Sequence, residues 1–188
     1  MTLNGSASML FDQAIDIPAA LSSDNVTIAL VDERIRYSLR IKAEDLAEFK
    51  KITGLKLPKQ INQLTSTQKR NCLCLGPDEW LVIALPTETK ELAEKLANAS
   101  YKMICSVTDI SYRNIGFDIQ GQGAEALINV GCPQDLSIDK FPIGKATRTV
   151  FESASIVLFR TGETSFHLEC WRSFGPYMRD FFKRVITT

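Results

Sequence analysis

Cys72 and Cys74 are the first residues in this chain whose types and spacing suggest chemistry. On a strand, positions i and i+2 share a face, so two thiolates there could converge on a metal. A structural zinc site needs about four ligands. The remaining cysteines, Cys105, Cys132 and Cys170, are scattered singles, and no Cys-x-x-Cys or His-x-x-x-His joins them. Buried strand cysteines are the commoner outcome. Cys132, beside Pro133, acts as a nucleophile only with a base nearby, and a structural thiol is the alternative. The sole histidine is His167. It lies in the alternating stretch 165–171 at opposite parity to Phe166 and Leu168, which reads as a surface or partner-facing position. A pKa-tuned catalytic role is its second reading.

Gly121-Gln122-Gly123 follows a strand pattern and opens a helix pattern, as a phosphate-binding turn would. The position that a full G-x-G-x-x-G requires to be glycine is Ala126, and no acidic ribose anchor follows at the right distance, so a plain strand-to-helix turn is expected. Arg113, Arg148, Arg160 and Arg172 lie on or beside strand-like stretches of the second half. They form either an anion-binding or partner-binding face or solvated strand edges. Trp80 and Trp171 read as core, with interface anchoring as the alternative. No carboxylate pair has a spacing that specifies acid–base work.

The elements that must position these residues repeat. Residues 73–86 form a hairpin pattern around Gly76-Pro77-Asp78-Glu79, and residues 156–171 form a second around Gly162. Gly76 and Gly162, like Trp80 and Phe166, stand 86 residues apart. Before the first hairpin come a short strand at 26–31, an alternating strand at 34–42 and a helix at 43–53 stopped by Gly54. A helix at 88–100 and a strand at 102–110 follow it. The order β-α-β-β-α-β is the split βαβ, or ferredoxin-like, arrangement. Residues 113–120, 121–130, 147–151, 155–160, 165–171 and 173–185 read as β-α-β-β-β-α, with Ser173 as N-cap of the last helix. The expected fold class is α+β, with two ferredoxin-like units packed into one globule. An arm occupies residues 1–25, the first unit 26–110 and the second 111–188.

Bulk properties narrow the function. Lys plus Arg equal Asp plus Glu, 22 against 22, so nothing in the net charge favours nucleic acid or an anionic membrane surface. No apolar run approaches the ~20 residues that span a bilayer, and the start does not resemble a secretory leader. An odd number of cysteines inside apolar runs fits a reducing compartment, and a cytoplasmic protein is expected.

Four collinear blocks resemble the gamma subunit family of heterotetrameric sarcosine oxidase. They are 74–81 (Cys-Leu-Gly-Pro-Asp-Glu-Trp-Leu), 129–136 (Asn-Val-Gly-Cys-Pro-Gln-Asp-Leu), 141–149 (Phe-Pro-Ile-Gly-Lys-Ala-Thr-Arg-Thr) and 166–174 (Phe-His-Leu-Glu-Cys-Trp-Arg-Ser-Phe). The likeness extends to the wider folate-binding aminomethyltransferase fold. Asp109-Ile-Ser-Tyr-Arg113 is similar to its Asp-hydrophobic-Ser-His-Arg opening, and residues 157–160 to the strand that follows a pair of folate-site aspartates. Here the positions before that strand are Ala154 and Ser155, which cannot ionise. The resemblance implies a non-catalytic subunit that packs against an alpha subunit, with beta and delta completing the complex. It places FAD, FMN, NAD, tetrahydrofolate and zinc on the other subunits and no cofactor on this chain. Arg113, Arg148, His167 and Arg172 are then candidates for the partner interface. A stand-alone folate-binding one-carbon transferase or regulator is the alternative.

Overall fold

Alternating apolar residues generate eleven strands in the computed structural model, which describes residues 20–31 and 33–187. The part of the expected arm at 1–19 lies outside the described residues. Two short strands come first, β1 (Ala20–Ser22) and β2 (Thr27–Val31), then β3 (Ile35–Ile41). A 3-10 turn at Ala43–Asp45 leads into α1 (Leu46–Thr53), which stops where Gly54 adopts a φ of 73°. Next are β4 (Leu64–Ser66), β5 (Arg70–Cys74) and β6 (Glu79–Ala84). A second 3-10 turn, Pro86–Glu88, opens α2 (Thr89–Lys102), and β7 (Cys105–Asp109) follows. The second half runs β8 (Asn114–Gln120), α3 (Ala124–Asn129), β9 (Ala146–Phe151), β10 (Ala154–Gly162) and β11 (Ser165–Trp171). A third 3-10 turn, Arg172–Phe174, precedes α4 (Gly175–Ile186). Ser173 therefore lies inside that turn and does not cap the helix; Phe174 holds the cap position, and a proline in the first helical turn starts α4 instead.

The first sheet has the order β4-β5-β6-β3-β7 and the second β1-β2-β8-β11-β10-β9, with every pairing antiparallel. In the first, β7-β3-β6-β5 is the strand order of a ferredoxin-like sheet. The repeat is faithful: the 3-10 turn and helix after β11 begin 86 residues after their counterparts behind β6. One element departs from the reading by chain order. Residues 26–31 were expected in the first unit, yet β2 pairs with β8 and completes the second sheet. The second unit ends on α4 with no closing strand of its own, and β2 takes that place. Val26 and Ile28 are buried with Ile115, Phe117 and Ile119, which local pattern alone could not show.

Each sheet buries one face under helices. Leu46 and Phe49 of α1 and Leu92 and Leu96 of α2 pack on Tyr37, Leu39, Cys72, Trp80 and Val82. Leu127 and Ile128 of α3 and Met178 and Phe182 of α4 pack on the second sheet, where Phe182 meets Phe117 and Phe151 edge-on. The opposite faces meet each other through Leu73, Leu81, Ile83 and Ile110 on one side and Ala146, Val157 and Phe159 on the other. The layers are thus helices, sheet, sheet, helices. Anything carried at inward parity on β3, β8 or β11 is aimed at the space between the sheets.

Candidate functional site between the sheets

Along β11, Phe166, Leu168 and Cys170 point to the helices, so His167 and Glu169 point inward. Their cross-strand partners on β8 are Asp118 and Gly116. From the facing sheet, β3 contributes Arg36. The four polar side chains form one chain of contacts. Asp118 Oδ1 lies 2.5 Å from His167 Nδ1, and His167 Nε2 lies 2.9 Å from Glu169 Oε1. Arg36 Nε donates to Glu169 Oε2 at 2.7 Å, and its other nitrogens donate to the carbonyls of Val31 and Arg34. Arg36 and Glu169 side chains are completely buried, and His167 is 6% exposed with Phe159 stacked on its ring.

Gly116 makes room for this. A Cβ there would lie 2.7 Å from His167 Nε2 and 2.9 Å from Glu169 Oε1, closer than real contacts allow. Burial works against a charged imidazole at His167, but the hydrogen bonds and charges of Asp118 and Glu169 outweigh it and raise the pKa to about 9. Burial likewise pushes the Glu169 carboxyl up, while His167 and Arg36 outweigh it and hold it below the ordinary range. Two cations therefore face two anions. At neutral pH the imidazolium donates from both nitrogens, so it has no lone pair to accept a substrate proton. Through the Arg36–Glu169 bond the group clasps the two sheets together. His167, expected at a surface or partner face, is interior.

Beside the clasp a cleft of about 370 Å³ opens between the sheets, with Glu169 in its wall and Arg40, Glu79, Arg113, Arg148 and Ser155 among its lining. Arg148 binds Glu79 through both terminal nitrogens, one of them at 3.1 Å. Arg40 bridges Asp78 at 2.9 Å and Glu79 at 3.1 Å. The hydrogen bonds from Arg148, reinforced by the charges of Arg40 and Arg113, hold the Glu79 carboxyl below its ordinary range against the effect of burial. Glu79, which reads as a turn-tip residue, instead starts β6 and ties it to β9. The Arg148 and Arg40 side chains are half exposed, so this rim tie is worth about 0–1 kcal/mol.

The other sequence candidates separate. Arg113 and Arg148 share the cleft, with Arg113 Nε donating to Asn114 Oδ1 at 3.1 Å. Arg172 lies outside it and donates to the Tyr112 carbonyl. Arg160 is 1% exposed, neither solvated nor partner-facing, and clamps the Leu136 and Glu163 carbonyls above the Phe166 ring. Cys72 and Cys74 do share a face, but it is the helix-packed one, and burial pushes the Cys72 thiol to about 12. Among the described residues no group of three or more His, Cys, Asp or Glu is placed to hold a metal. Cys132 is buried and its thiol is raised by that burial. Gly121 and Gly123 hold the chain's own backbone: Gly123 N–H donates to the Asn25 carbonyl, and a Cβ on Gly121 would lie 2.2 Å from that same oxygen. Trp80 is core, with its indole N–H on the Pro58 carbonyl, whereas Trp171 is 52% exposed. Arg36, Asp118 and Glu169 were not singled out from sequence. The available signal was His167 and Glu169 at i and i+2, a polar pair on one face of an otherwise apolar strand.

The family model described as "Sarcosine oxidase, gamma subunit family" matches residues 43–186. The chain belongs to the sarcosine oxidase gamma subunit family. It is 33% identical over 116 residues to sarcosine oxidase subunit gamma of Corynebacterium sp. strain P-1, covering 61% of this chain and 56% of that protein. It thus spans little more than half the length of that relative. With the Arthrobacter sp. subunit gamma it shares 26% identity over 174 residues, 89% of this chain and 85% of the relative. In structure it is similar to a chain of heterotetrameric sarcosine oxidase from Corynebacterium sp. U-96 in complex with pyrrole 2-carboxylate. The TM-score is 0.78 at 24% identity, over 90% of this chain and 88% of that one. It is also similar to glycine cleavage system aminomethyltransferase T from Bartonella henselae, with a TM-score of 0.64 at 12% identity over 84% of this chain and 45% of the other. These two likenesses establish a shared aminomethyltransferase-like fold. In this gamma-family chain Ala154 is fully buried at the start of β10 and Ser155 faces the cleft. No helix among the described residues is long and apolar enough to cross a membrane.

Proposed function

We propose that this chain is the non-catalytic gamma subunit of a heterotetrameric sarcosine oxidase, packed against the alpha subunit with beta and delta completing the complex. The whole enzyme oxidatively demethylates sarcosine to glycine, with tetrahydrofolate as one-carbon acceptor. Flavins, NAD, folate and zinc belong to the other subunits, and the complex works in the cytoplasm. Five free thiols fit that compartment. Family membership over residues 43–186 supports the assembly. The observation that carries the non-catalytic role is the state of the sole histidine. His167 is buried and bonded at both nitrogens to carboxylates that favour its charged form, so the chain's one imidazole is committed to holding Glu169 for its bond to Arg36 across the sheets.

The alternative is a folate-binding one-carbon transferase or regulator that acts alone. The residues at 154 and 155 disfavour it, since neither supplies a carboxylate to bind or polarise a pterin. Calorimetric titration of the isolated chain with tetrahydrofolate separates the two. The subunit reading predicts no saturable heat; micromolar saturation would transfer the conclusion to the alternative.

A further inference from the structure

The internal repeat relates β7 of the first sheet to β2 of the second. Leu39 stands opposite Trp80 on β6 and Val107 on β7; Ile119 stands opposite Phe166 on β11 and Ile28 on β2. Since Trp80 and Phe166 are counterparts, Val107 is the counterpart of Ile28, and Cys105 that of Val26. The surroundings differ. β1 pairs with β2, setting Leu21 opposite Ile28, and it also touches α4. Among the described residues no strand lies outside β7, and β3 is its one neighbour in the sheet. Val26 and Ile28 are accordingly 7% and 2% exposed, while Cys105 and Val107 are left half-buried at the margin of the first core.

We infer that the open edge of β7 receives an extended segment of a partner subunit, which adds a strand where β1 sits in the second sheet. The inference rests on the subunit reading above. Ile110 N–H donates to Arg36 O, and these residues are opposite in the β3–β7 register. Ladder alternation then turns the backbone N–H and C=O groups of Cys105, Val107 and Asp109 outward, ready for a further strand. The edge has one charged residue, Asp109 at its end, and few other protections. It is five residues long, carries no Lys, Pro or bulge, and keeps one register throughout. Among the described residues the three most exposed large hydrophobics, Tyr101 at 92%, Tyr112 at 89% and Ile104 at 84%, all flank this strand. A segment antiparallel to β7, apolar at alternate positions and with a Leu-like side chain opposite Val107, covers what is left open.

The test compares full-length wild type with Val107→Pro, each co-expressed with the partner subunits. Proline removes an outward N–H without touching the ladder to β3. Recovery of partner is expected to fall by about tenfold or more, while Val150→Thr on the exposed part of β9 leaves it unchanged. Equal recovery with Val107→Pro overturns the inference and leaves the subunit reading standing. No recovery even with wild type sinks the subunit reading, and this inference with it. Should Val107→Pro fail to fold, hydrogen exchange on wild type decides. The amides of Cys105, Val107 and Asp109 are expected to slow by about tenfold or more in the complex relative to the free chain. Unchanged exchange overturns the inference. Protection that grows with concentration of the free chain also overturns it, because a second copy would then occupy the edge.

Discussion

Glu169 bears the most consequence of any single residue described, because it holds His167 with one oxygen and Arg36 with the other. Replacing a buried charge that has two cationic partners leaves those partners uncompensated. Glu169→Gln is therefore expected to lower unfolding stability by about 3–5 kcal/mol in urea denaturation. His167 adds a pH dependence of defined sign. Its folded-state pKa of about 9 lies above the ordinary 6.5, so its contribution is fully present below 6.5 and disappears as pH rises through about 9. Glu169, with a depressed pKa, behaves oppositely and loses its contribution as pH falls into the acid range. Melting temperatures between pH 6 and 10 should decline for wild type and flatten in His167→Gln. A wild-type profile as flat as that of the variant would contradict a protonated clasp. The sequence showed that His167 has the opposite parity to Phe166 and Leu168, a position that read as surface or partner-facing, but not what covers that face. Arg36 alternates with Ile35 and Tyr37 on β3, and the carboxylate it meets in the interior belongs to Glu169, far along the chain. Contacts of that separation are not written in local periodicity.

At the scale of elements, the hairpins, their 86-residue repeat and three of the four helices were legible, because each rests on turn residues and apolar spacing within a short window. The fourth helix was legible in position and mistaken only in its cap. Membership of β2 was not legible. A short apolar strand ahead of β3 fits either sheet by pattern, and the choice is made by the vacancy beyond α4. That assignment has a direct consequence. A chain beginning at residue 33 lacks the strand that buries Val26 and Ile28, each worth about 1.5–3 kcal/mol. It should melt well below wild type by circular dichroism, with the loss centred on the second unit. An unchanged melting temperature would mean that β2 contributes little to the second core.

At the scale of the molecule, the two sheets are joined by an apolar layer, a buried four-residue clasp and a rim tie between Arg148 and Glu79. Among the described residues the three most exposed large hydrophobic side chains, Tyr101, Tyr112 and Ile104, flank β7. Residue types and spacing favoured buried strand thiols at Cys72 and Cys74 and a plain strand-to-helix turn at Gly121, where the structure has core-packed thiols and a turn held on Asn25. They could not identify the outward-facing surface, since exposure depends on which strands pair. On the function proposed above, this gamma-family chain works as a structural member of an oxidase. The most direct measurement is co-expression of the full chain with the alpha, beta and delta subunits, followed by mass determination of the purified assembly. One gamma chain is expected per stoichiometric complex, with sarcosine oxidation found in that complex and not in the gamma chain alone. A gamma chain that elutes by itself while the other three assemble into a fully active enzyme would contradict it.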